Sequence, residues 1–417
     1  MSFRADVAPI LLDNCLACHG PKKAEGGYRV DTFEELGNAG DSGEAPLPGD
    51  KDDGGELLRR LTSTDSTERM PADSEPLPAA QIDVVRRWIV AGAAFDGEQS
   101  GDPLFLIIPP RRYPEPPASY ALPVPITAMA FSPDGKQLLV GGYHEISIWN
   151  VEDGALIRRI KDLPQRIFAL AFLHEGRRLA VAGGEPGRSG EVRLVDFETG
   201  IVQAVLARSA DVALDLAVRP QNDQLAVAAA DGLIRIVDPE ASATVHTIAS
   251  HADWVTAVAW SDDGTLLASA SRDKSAKLYG GDTGDLLANY QGHAAAVRGV
   301  AFTPDGKQAL STGADGKLHR WNVEGAAKVA EVGVGGDSFH ITRGNGFLLI
   351  PCADALVRQI DLTSNAVSRT LAGHQDWTLS AALNNDGTLF ASASRDGEVR
   401  LWNAADGALV RAWTAKP

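Results

Sequence analysis

The clearest structural signal in this chain of 417 residues is the run Ala391-Ser-Ala-Ser-Arg-Asp-Gly-Glu-Val-Arg-Leu-Trp-Asn403. Its apolar and polar residues alternate on both sides of an Asp-Gly pair. Alternation with a period of two is typical of β-strands, and Asp-Gly between two such runs predicts a hairpin turn. A close copy, Ala268-Ser-Ala-Ser-Arg-Asp273, precedes it by 123 residues. The run is therefore one unit of an internal repeat.

The repeat has seven units, each marked by a two-residue turn signal. These turn doublets are Asp134-Gly135, Glu175-Gly176, Asn222-Asp223, Asp263-Gly264, Asp305-Gly306, Asn345-Gly346 and Asp386-Gly387. A second series marks the third strand of each unit: Trp149, Val195, Val237, Tyr279, Trp321, Ile360 and Trp402. Both series step by 39 to 42 residues, except across the second unit, where Gly183–Gly190 is inserted. Units of roughly 43 residues have the length of a four-stranded propeller blade, so we predict seven blades.

Four segments resemble the WD-repeat family: Phe131–Gly135, Ala268–Asp273, Leu318–Asn322 and Ala391–Asn403. The resemblance implies an all-β propeller in which some blades contain a buried chain of hydrogen bonds between His, Ser, Asp and Trp side chains. The residues concerned are His293, Ser311, Asp315 and Trp321 in the fifth unit, and His374, Ser392, Asp396 and Trp402 in the seventh. The fourth unit has His251, Ser269 and Asp273, with Tyr279 in the place of Trp.

A change of composition separates the repeat from the first hundred residues. Eight of the 23 prolines lie between Asp102 and Pro125, where they disfavour helix and favour an extended spacer. We therefore expect a small all-α domain over residues 1–98, a Pro-rich linker over 99–119 and the all-β propeller over 120–417. The last unit has its own candidate fourth strand, Ala408–Thr414, so the ring does not require a strand from elsewhere.

Two amphipathic stretches predict the helices of the first domain. One has apolar residues at Phe3, Val7, Ile10 and Leu11, and the other has Ile82, Val85, Trp88 and Ile89. Spacings of three and four place each set on one helix face, and Pro78 and Gly92 are suited to begin and end the second helix. The apolar segment Leu104–Ile108, within the predicted linker, is a candidate to pair with an exposed sheet edge.

The composition excludes several classes of function. The net charge at pH 7 is −16, from 39 Lys and Arg against 55 Asp and Glu, so the surface repels nucleic-acid phosphates and anionic lipid. No apolar run approaches the roughly 20 residues that a membrane-spanning helix needs. The cysteines, Cys15, Cys18 and Cys352, are too few for a disulfide-built fold. We expect no nucleic-acid partner and no transmembrane segment.

One short motif predicts a cofactor, namely Cys15-Leu-Ala-Cys18-His19. A Cys-x-x-Cys-His motif at the end of a helix lets two thiols form thioether bonds to the vinyl groups of a haem, while the imidazole ligates the iron. The alternatives are a chance match and a redox dithiol, but no βαβ unit of the kind that surrounds such dithiols precedes the motif. We favour one covalent haem c.

Met70 is the candidate for the second axial ligand. It lies in the polar loop Thr67–Asp73, 51 residues after His19, and Pro71 prevents a helix there. Because no amphipathic face explains its burial, we predict that its sulfur ligates the iron; a Met that only fills the core is the alternative. Coordination by His and Met raises the reduction potential and leaves no open iron position, which favours electron transfer over oxygen chemistry.

The first domain resembles the planctomycete-type cytochrome c domain. The matching segments are Val7–Ile10, Cys15–Gly20, Gly26–Asp31, Pro48-Gly49, Arg69–Pro71 and Arg87–Ala93. The resemblance implies haem attached through Cys15 and Cys18, with His19 and Met70 as axial ligands. The family usually has a second Pro after Met-Pro, where this chain has Ala72, and this departure leaves the ligand in place.

Other residues are weaker candidates. Trp88 is a candidate to pack against the haem, with the helix core as the alternative, and Arg29 to contact a haem propionate, with an ordinary surface role as the alternative. The remaining histidines show no metal-ligand spacing: His144, His174, His246, His319 and His340. Cys352 is expected to be a small buried apolar residue. We predict no catalytic residue.

These features predict an exported electron-transfer cytochrome whose propeller docks a redox partner protein. The alternative is an oxidoreductase in which the propeller holds a second cofactor or a substrate and the haem relays electrons, although such enzymes use eight blades. A scaffold with a purely structural haem is a third candidate. Haem is attached outside the cytoplasm, whereas the first residues contain no apolar signal segment. We therefore expect a leader to precede this sequence and a periplasmic or otherwise exported location.

Overall fold

The computed structural model describes residues 1–21, 23–48 and 54–417. Contacts divide the chain into two units, Met1–Arg111 and Arg112–Pro417. The first is helical and the second consists of β-sheets. Residues 99–119, predicted as a linker, fall on both sides of this division.

The described part of the first unit contains five α-helices and two short helical turns of other types. The turns are Phe3–Val7, a π-helical turn, and Glu25–Gly27, a 3-10 turn. The helices are α1 Ala8–Asn14, α2 Phe33–Leu36, α3 Gly55–Thr62, α4 Ala79–Val90 and α5 Leu104–Ile107. The turn at Phe3–Val7, α1 and α4 cover the two stretches that the apolar spacing predicted.

The sequence accounts for both ends of α4. Pro78 precedes its first residue, where a fixed φ suits the start of a helix. At the other end Gly92 has φ +98°, a left-handed conformation that terminates the helix at little cost for glycine. Between them Val85, Trp88 and Ile89 are buried, as the spacing predicted.

The segment Leu104–Ile108 does not form the edge strand considered above. Its first four residues form α5, which Pro103 precedes, and the backbone N–H of Leu104 donates to the carbonyl of Asp31 at 2.8 Å. Leu104, Ile107 and Ile108 are buried in the same apolar core as α1 and α4. The gain from burying three large apolar side chains explains why this segment folds with the helices.

The second unit, all of whose residues are described, contains seven four-stranded antiparallel sheets, each built from four consecutive strands. Blades one and two contain β1 Met129–Phe131, β2 Gln137–Gly141, β3 Ile146–Asn150, β4 Leu156–Ile160, β5 Arg166–Phe172, β6 Arg178–Glu185, β7 Ser189–Asp196 and β8 Val202–Ser209. Blades three and four contain β9 Ala213–Val218, β10 Leu225–Ala229, β11 Ile234–Asp238, β12 Ala243–Ile248, β13 Val255–Trp260, β14 Leu266–Ser271, β15 Ala276–Gly280 and β16 Leu286–Tyr290. Blades five to seven contain β17 Val297–Phe302, β18 Gln308–Gly313, β19 Lys317–Asn322, β20 Lys328–Gly333, β21 Thr342–Arg343, β22 Phe347–Pro351, β23 Val357–Asp361, β24 Ala366–Leu371, β25 Thr378–Leu383, β26 Leu389–Ser394, β27 Glu398–Asn403 and β28 Leu409–Thr414.

Every predicted turn doublet lies between the first and second strands of its blade, and every third-strand marker lies in a third strand. The second residue of each doublet has positive φ, from +57° at Asp223 to +82° at Gly346. Six of these seven residues are glycine, for which that conformation is favourable, and the seventh is Asp223. The prediction of seven blades is confirmed.

The insertion in the second unit lengthens a hairpin. Gly183, Gly184 and Glu185 pair with Glu191, Gly190 and Ser189. The extra residues therefore extend β6 and β7 and leave the blade order unchanged.

Side chains between neighbouring blades form the core of the ring. Across residues 112–417 there are seven buried apolar clusters, and each joins residues of two adjacent blades. One of them joins blade one, through Ile126 and Met129, to blade seven, through Ala391 and Leu401. The backbone N–H of Ile126 also donates to the carbonyl of Ser394 at 3.3 Å. The ring therefore closes by packing, and no strand is exchanged between blades.

Candidate cofactor site

A cavity of about 290 Å³ lies in the first unit, and Cys15, His19 and Met70 all line it. These residues are separated by up to 55 positions in the sequence, so the fold brings together three of the four residues predicted to hold a haem. The volume is close to the roughly 300 Å³ at which ligand pockets begin. Most of the wall is apolar, with Val30, Leu57 and Leu61 among its residues.

The end of α1 positions the first two of these side chains. The backbone N–H of Cys15 donates to the carbonyl of Leu11 at 2.9 Å, and the N–H of His19 donates to the carbonyl of Cys15 at 3.0 Å. The chain therefore continues as helical turns beyond α1. Residues four apart in such turns lie on the same side, which explains why Cys15 and His19 reach the same cavity.

The imidazole of His19 is oriented by the backbone. Its Nδ1 lies 3.3 Å from the carbonyl oxygen of Tyr28. A neutral ring that donates from Nδ1 to this carbonyl has its free lone pair on Nε2, which is the usual arrangement of a metal-ligating histidine. The ring of Tyr28 also meets the His19 ring edge to face, at 5.5 Å between centroids.

A backbone contact ties the Met70 loop to α3. The N–H of Met70 donates to the carbonyl of Arg60 at 3.1 Å. The Met70 side chain is partly buried and packs against the apolar core. Its thioether therefore has an apolar setting, which suits a weak, uncharged iron ligand.

The two motif cysteines are free thiols in this structure. Burial raises the pKa of Cys15 to about 12, and the neighbouring Cys18 contributes to the increase. A redox dithiol requires a thiol with a lowered pKa, because the thiolate is the reactive form. Cys15 is therefore poorly suited to be the attacking thiol of such a pair. Two thiols, an imidazole and a thioether are the donor set of a c-type haem site, so the residues present fit that group.

Arg60 is a candidate that the sequence analysis missed. Among the described residues lining the cavity it is the only Lys or Arg, whereas Glu25, Asp41, Glu44 and Glu56 are acidic. Its Nε donates to Glu56 Oε1 at 2.7 Å. Hydrogen bonds from Arg59 and then Arg60 lower the pKa of Glu56 to about 2, so the carboxylate stays charged. Among the described residues of the cavity wall, Arg60 is therefore the cation that could contact a haem propionate.

Cys18, Arg29 and Trp88 are not among the described residues that line the cavity. Arg29 donates to both oxygens of Asp31 at 2.9 and 2.8 Å and to Glu35 at 3.1 Å, so acidic side chains occupy its guanidinium. Trp88 is buried, and its indole N–H donates to the carbonyl of Ala94 at 3.0 Å.

The surroundings of Trp88 are an aromatic cluster. Its ring centroid lies 5.3 Å from that of Phe3 and 6.3 Å from that of Phe33, and Phe95 packs on Phe33 at 4.7 Å. The structure thus gives Trp88 the helix-core position that was the alternative to haem packing. Of the matching pair Pro48-Gly49, Gly49 lies outside the described residues.

The hydrogen-bond chain predicted for blade five is present. His293 Nε2 lies 2.8 Å from the hydroxyl of Ser311, and His293 Nδ1 lies 2.8 Å from Asp315. The indole N–H of Trp321 donates to the same hydroxyl at 3.1 Å. In blade four the hydroxyl of Tyr279 takes the place of the indole, at 3.5 Å from Ser269.

Blade seven differs from the prediction in its acidic residue. His374 Nε2 and the indole N–H of Trp402 both meet Ser392, at 2.7 and 2.8 Å. The carboxylate facing His374 Nδ1, however, is Glu398 at 3.0 Å. Asp396 instead accepts hydrogen bonds from the hydroxyl of Ser394 and the backbone N–H of Glu398, so its carboxylate is already engaged.

A second histidine stacks on the network of blade five. The rings of His293 and His319 are 4.0 Å apart and nearly parallel, and with Asp315 they form a group close enough to hold a metal ion. The hydrogen bonds that His293 and His319 already make favour a structural role over metal binding. Both nitrogens of His293 are engaged, as described above, and His319 Nδ1 lies 2.8 Å from the hydroxyl of Tyr290.

Comparisons with known proteins agree with both parts of this structure. Residues 15–74 match the family model of planctomycete cytochrome C, and residues 120–150, 242–280, 284–322 and 365–403 match that of the WD domain, G-beta repeat. WD repeat-containing protein 26 homolog from Drosophila melanogaster is 36% identical over 83 residues, which are 19% of this chain and 12% of that protein. None of the described helices is both long and apolar enough to cross a membrane. The chain is a fusion of a planctomycete-type cytochrome c domain with a seven-bladed WD-repeat propeller.

Proposed function

We propose that this protein is an exported c-type cytochrome that transfers electrons through one haem, attached covalently at Cys15 and Cys18. In this proposal His19 and Met70 are the axial ligands, and the propeller is a docking scaffold for a redox partner. The observation that carries the proposal is the position of Cys15, His19 and Met70 on the wall of one mostly apolar cavity. The family match over residues 15–74 supports haem binding.

The residues of the chain have distinct parts in this proposal. The carbonyl of Tyr28 keeps His19 in the tautomer that ligates through Nε2. The carbonyl of Arg60 holds the Met70 loop against α3. Apolar side chains such as Leu57 and Leu61 exclude water and so lower the local dielectric. A bound haem would supply reversible exchange of one electron between ferric and ferrous iron.

Covalent attachment is tested on protein matured in its native host. The intact mass is expected to exceed that of the polypeptide by one haem, and the pyridine haemochrome spectrum is expected to be that of a haem with two thioether links. Replacing both Cys15 and Cys18 by Ala should abolish the added mass. A colourless native protein with the mass of the bare polypeptide would contradict the proposal.

The axial ligand is tested by Met70→Ala. Because a Met ligand raises the reduction potential relative to nitrogen ligation, the variant is expected to have a lower potential and an altered ferric spectrum. Met129→Leu is the matched control, since Met129 lies in β1 of the propeller. An unchanged spectrum and potential in Met70→Ala would show that another group completes the iron coordination.

The second candidate function is an oxidoreductase whose propeller holds its own cofactor or substrate. It is favoured by a cavity of about 380 Å³ among the innermost strands of the propeller, with Asp215 and His340 among its lining residues. A chromophore beyond the single haem in native protein would favour this candidate. A native spectrum that one haem c fully explains would favour the electron-transfer proposal.

A further inference from the structure

One segment of the first unit, residues 23–30, holds the Cys-x-x-Cys-His motif through backbone hydrogen bonds. The N–H of Glu25 donates to the carbonyl of Cys18 at 3.0 Å, and the N–H of Val30 donates to the carbonyl of His19 at 2.8 Å. Both bonds run to the last two residues of the motif. The position of this segment therefore determines where the backbone of the proposed iron ligand lies.

The same segment supplies the hydrogen-bond partner of the His19 side chain. Its Nδ1 lies 3.3 Å from the carbonyl oxygen of Tyr28, and this is the only hydrogen bond of that imidazole among the described residues. Tyr28 also lines the cavity together with His19. A displacement of the Tyr28 carbonyl would therefore act directly on the proposed iron ligand.

The side chain of Tyr28 is anchored to the core of the first unit. Its hydroxyl donates to the carbonyl of Leu36 at 3.2 Å. Leu36 is the last residue of α2, and the final carbonyl groups of a helix have no partner within that helix. Its own side chain is fully buried in the apolar core with Phe3 and Trp88. The hydroxyl of Tyr28 therefore binds an open carbonyl at a fixed point of the fold.

A neighbouring loop confines the same segment by close packing. The N–H of Asp41 donates to the carbonyl of Gly26 at 2.7 Å. A methyl group added at Gly40 would come within 2.5 Å of the Gly26 carbonyl oxygen and 3.0 Å of Tyr28 Cβ. Tyr28 is thus held between its bond to Leu36 and this loop, which leaves its backbone little room to move.

The hydroxyl of Tyr28 separates a positioning role from simple packing. The ring is half-buried and meets the His19 ring edge to face, and a phenylalanine ring would make the same contact. The hydroxyl adds the bond to Leu36. A change at His19 after removal of the hydroxyl alone would therefore report a shift of the Tyr28 backbone.

We propose that Tyr28 is a positioning residue for the haem ligand, whose hydroxyl bond to Leu36 fixes the carbonyl that accepts a hydrogen bond from His19 Nδ1. The inference rests on the proposed haem function and adds to it a residue that controls the reduction potential. A histidine that donates from Nδ1 is a more basic ligand. A more basic ligand lowers the reduction potential, because it stabilises the more positive ferric iron more than ferrous iron.

The test uses the full, haem-loaded chain with Tyr28→Phe, which removes one oxygen atom and keeps the ring. Because the carbonyl loses its anchor, the bond from His19 Nδ1 is expected to weaken and the reduction potential to rise. In a spectroelectrochemical titration, the ratio of reduced to oxidised variant at the parent's midpoint potential is then expected to be severalfold higher than in the parent. The direction distinguishes Tyr28 from Met70, whose replacement by Ala is expected to lower the potential.

A second readout follows the hydrogen bond itself. In the reduced protein with isotope-labelled histidine, NMR measures how fast the proton on His19 Nδ1 exchanges with water. Exchange is expected to be severalfold faster in Tyr28→Phe than in the parent, since a weaker hydrogen bond protects the proton less. A Tyr28 ring that only packs against the core would leave both the exchange rate and the potential unchanged.

Tyr143→Phe is the matched control for the lost hydroxyl. It removes the same atom from a tyrosine of the propeller, where the hydroxyl accepts a hydrogen bond from Gln165 at 3.0 Å. Both readouts should be those of the parent. A rise of the potential in this variant as well would show that the effect does not come from the haem site.

A pair of glycine variants tests the same carbonyl without touching the hydroxyl. Gly40→Ala places a methyl group against the Gly26 carbonyl and Tyr28, so it should displace the segment and raise the potential as Tyr28→Phe does. Gly37→Ala should not, because its methyl group would lie 3.6 Å from the carbonyl oxygen of Glu34, an ordinary contact.

The outcomes keep this inference apart from the proposed function. If the parent carries a reversible haem and Tyr28→Phe has the parent's potential and exchange rate, only the role of Tyr28 is wrong. If Tyr28→Phe does not load haem, Gly40→Ala decides, since a raised potential supports the inference and the parent's potential overturns it. A parent that carries no covalent haem would overturn the proposed function, and the role of Tyr28 with it.

Discussion

At the scale of single residues, the site depends on groups whose partners only the fold reveals. Cys15, Cys18, His19 and Met70 could be named from the sequence, because a spaced motif and a Met in a polar loop are local signals. Arg60 could not be named, since nothing in its helix distinguishes it from Arg59. Only the folding of α3 against the Met70 loop places one of these two arginines at the cavity.

The two arginines provide a matched pair of variants. We expect Arg60→Leu to lower the reduction potential, because the variant lacks a positive charge that favours the reduced, less positive iron site. The expected change in the free energy of reduction is on the order of 1 kcal/mol. Arg59→Leu should have little effect, since Arg59 binds the same Glu56 without lining the cavity. Spectroelectrochemical titration measures both. Equal shifts in the two variants would remove Arg60 from the site.

At the scale of elements, periodicity predicted the blades well because every blade repeats the same turn and strand pattern. The fate of Leu104–Ile108 could not be predicted, since a short apolar segment suits either a strand or a helical turn. The segment forms a helix because Leu104, Ile107 and Ile108 are buried in the same core as α1 and α4. The sequence also could not show which acidic residue faces His374, because Asp396 and Glu398 both lie at the turn between β26 and β27.

The network of blade seven makes a prediction about stability. Ser392→Ala leaves His374 Nε2 and the indole N–H of Trp402 buried without their common partner. We expect a loss of about 1–3 kcal/mol in the free energy of unfolding, measured with urea. Ser364→Ala, in the exposed turn after β23, should cost less than roughly 0.5 kcal/mol. Similar costs for the two variants would argue against a role of the network in stability.

The stacked histidines of blade five make a prediction about pH. Burial, and then the neighbouring His293, lower the pKa of His319 from 6.5 to about 4. Because the folded pKa lies below that of the unfolded chain, the neutral ring stabilises the blade above about pH 6.5, and this contribution is lost as the pH falls towards 4.

The measurement compares the parent with His319→Gln, which cannot titrate. Between pH 7 and pH 4.5 the parent should lose more unfolding free energy than the variant. The other groups that face His319 are present in both proteins, namely Tyr290, His293, Asp315, Lys328 and Glu331. Equal losses would mean that folding does not shift the pKa of His319.

At the scale of the whole molecule, the chain consists of two units, each with its own apolar core. The propeller contains no residue of the haem motif. We expect the double variant Cys15→Ala, Cys18→Ala to lose its colour while the propeller keeps its calorimetric unfolding transition. The parent before haem loading is the control. A propeller transition that disappears with the cysteines would show that haem attachment is needed to fold the ring.

The ring has the same kind of boundary between every two blades, including the boundary between the last blade and the first. Because each sheet is made from consecutive strands, the chain can begin at any blade and keep the same order of blades around the ring. Consider a circular permutant of the propeller whose chain begins at Ala213 and in which a linker joins the end of blade seven to the start of blade one. This permutant should assemble the same ring. Duplication or loss of a blade during evolution would likewise cut the chain only at a surface connection.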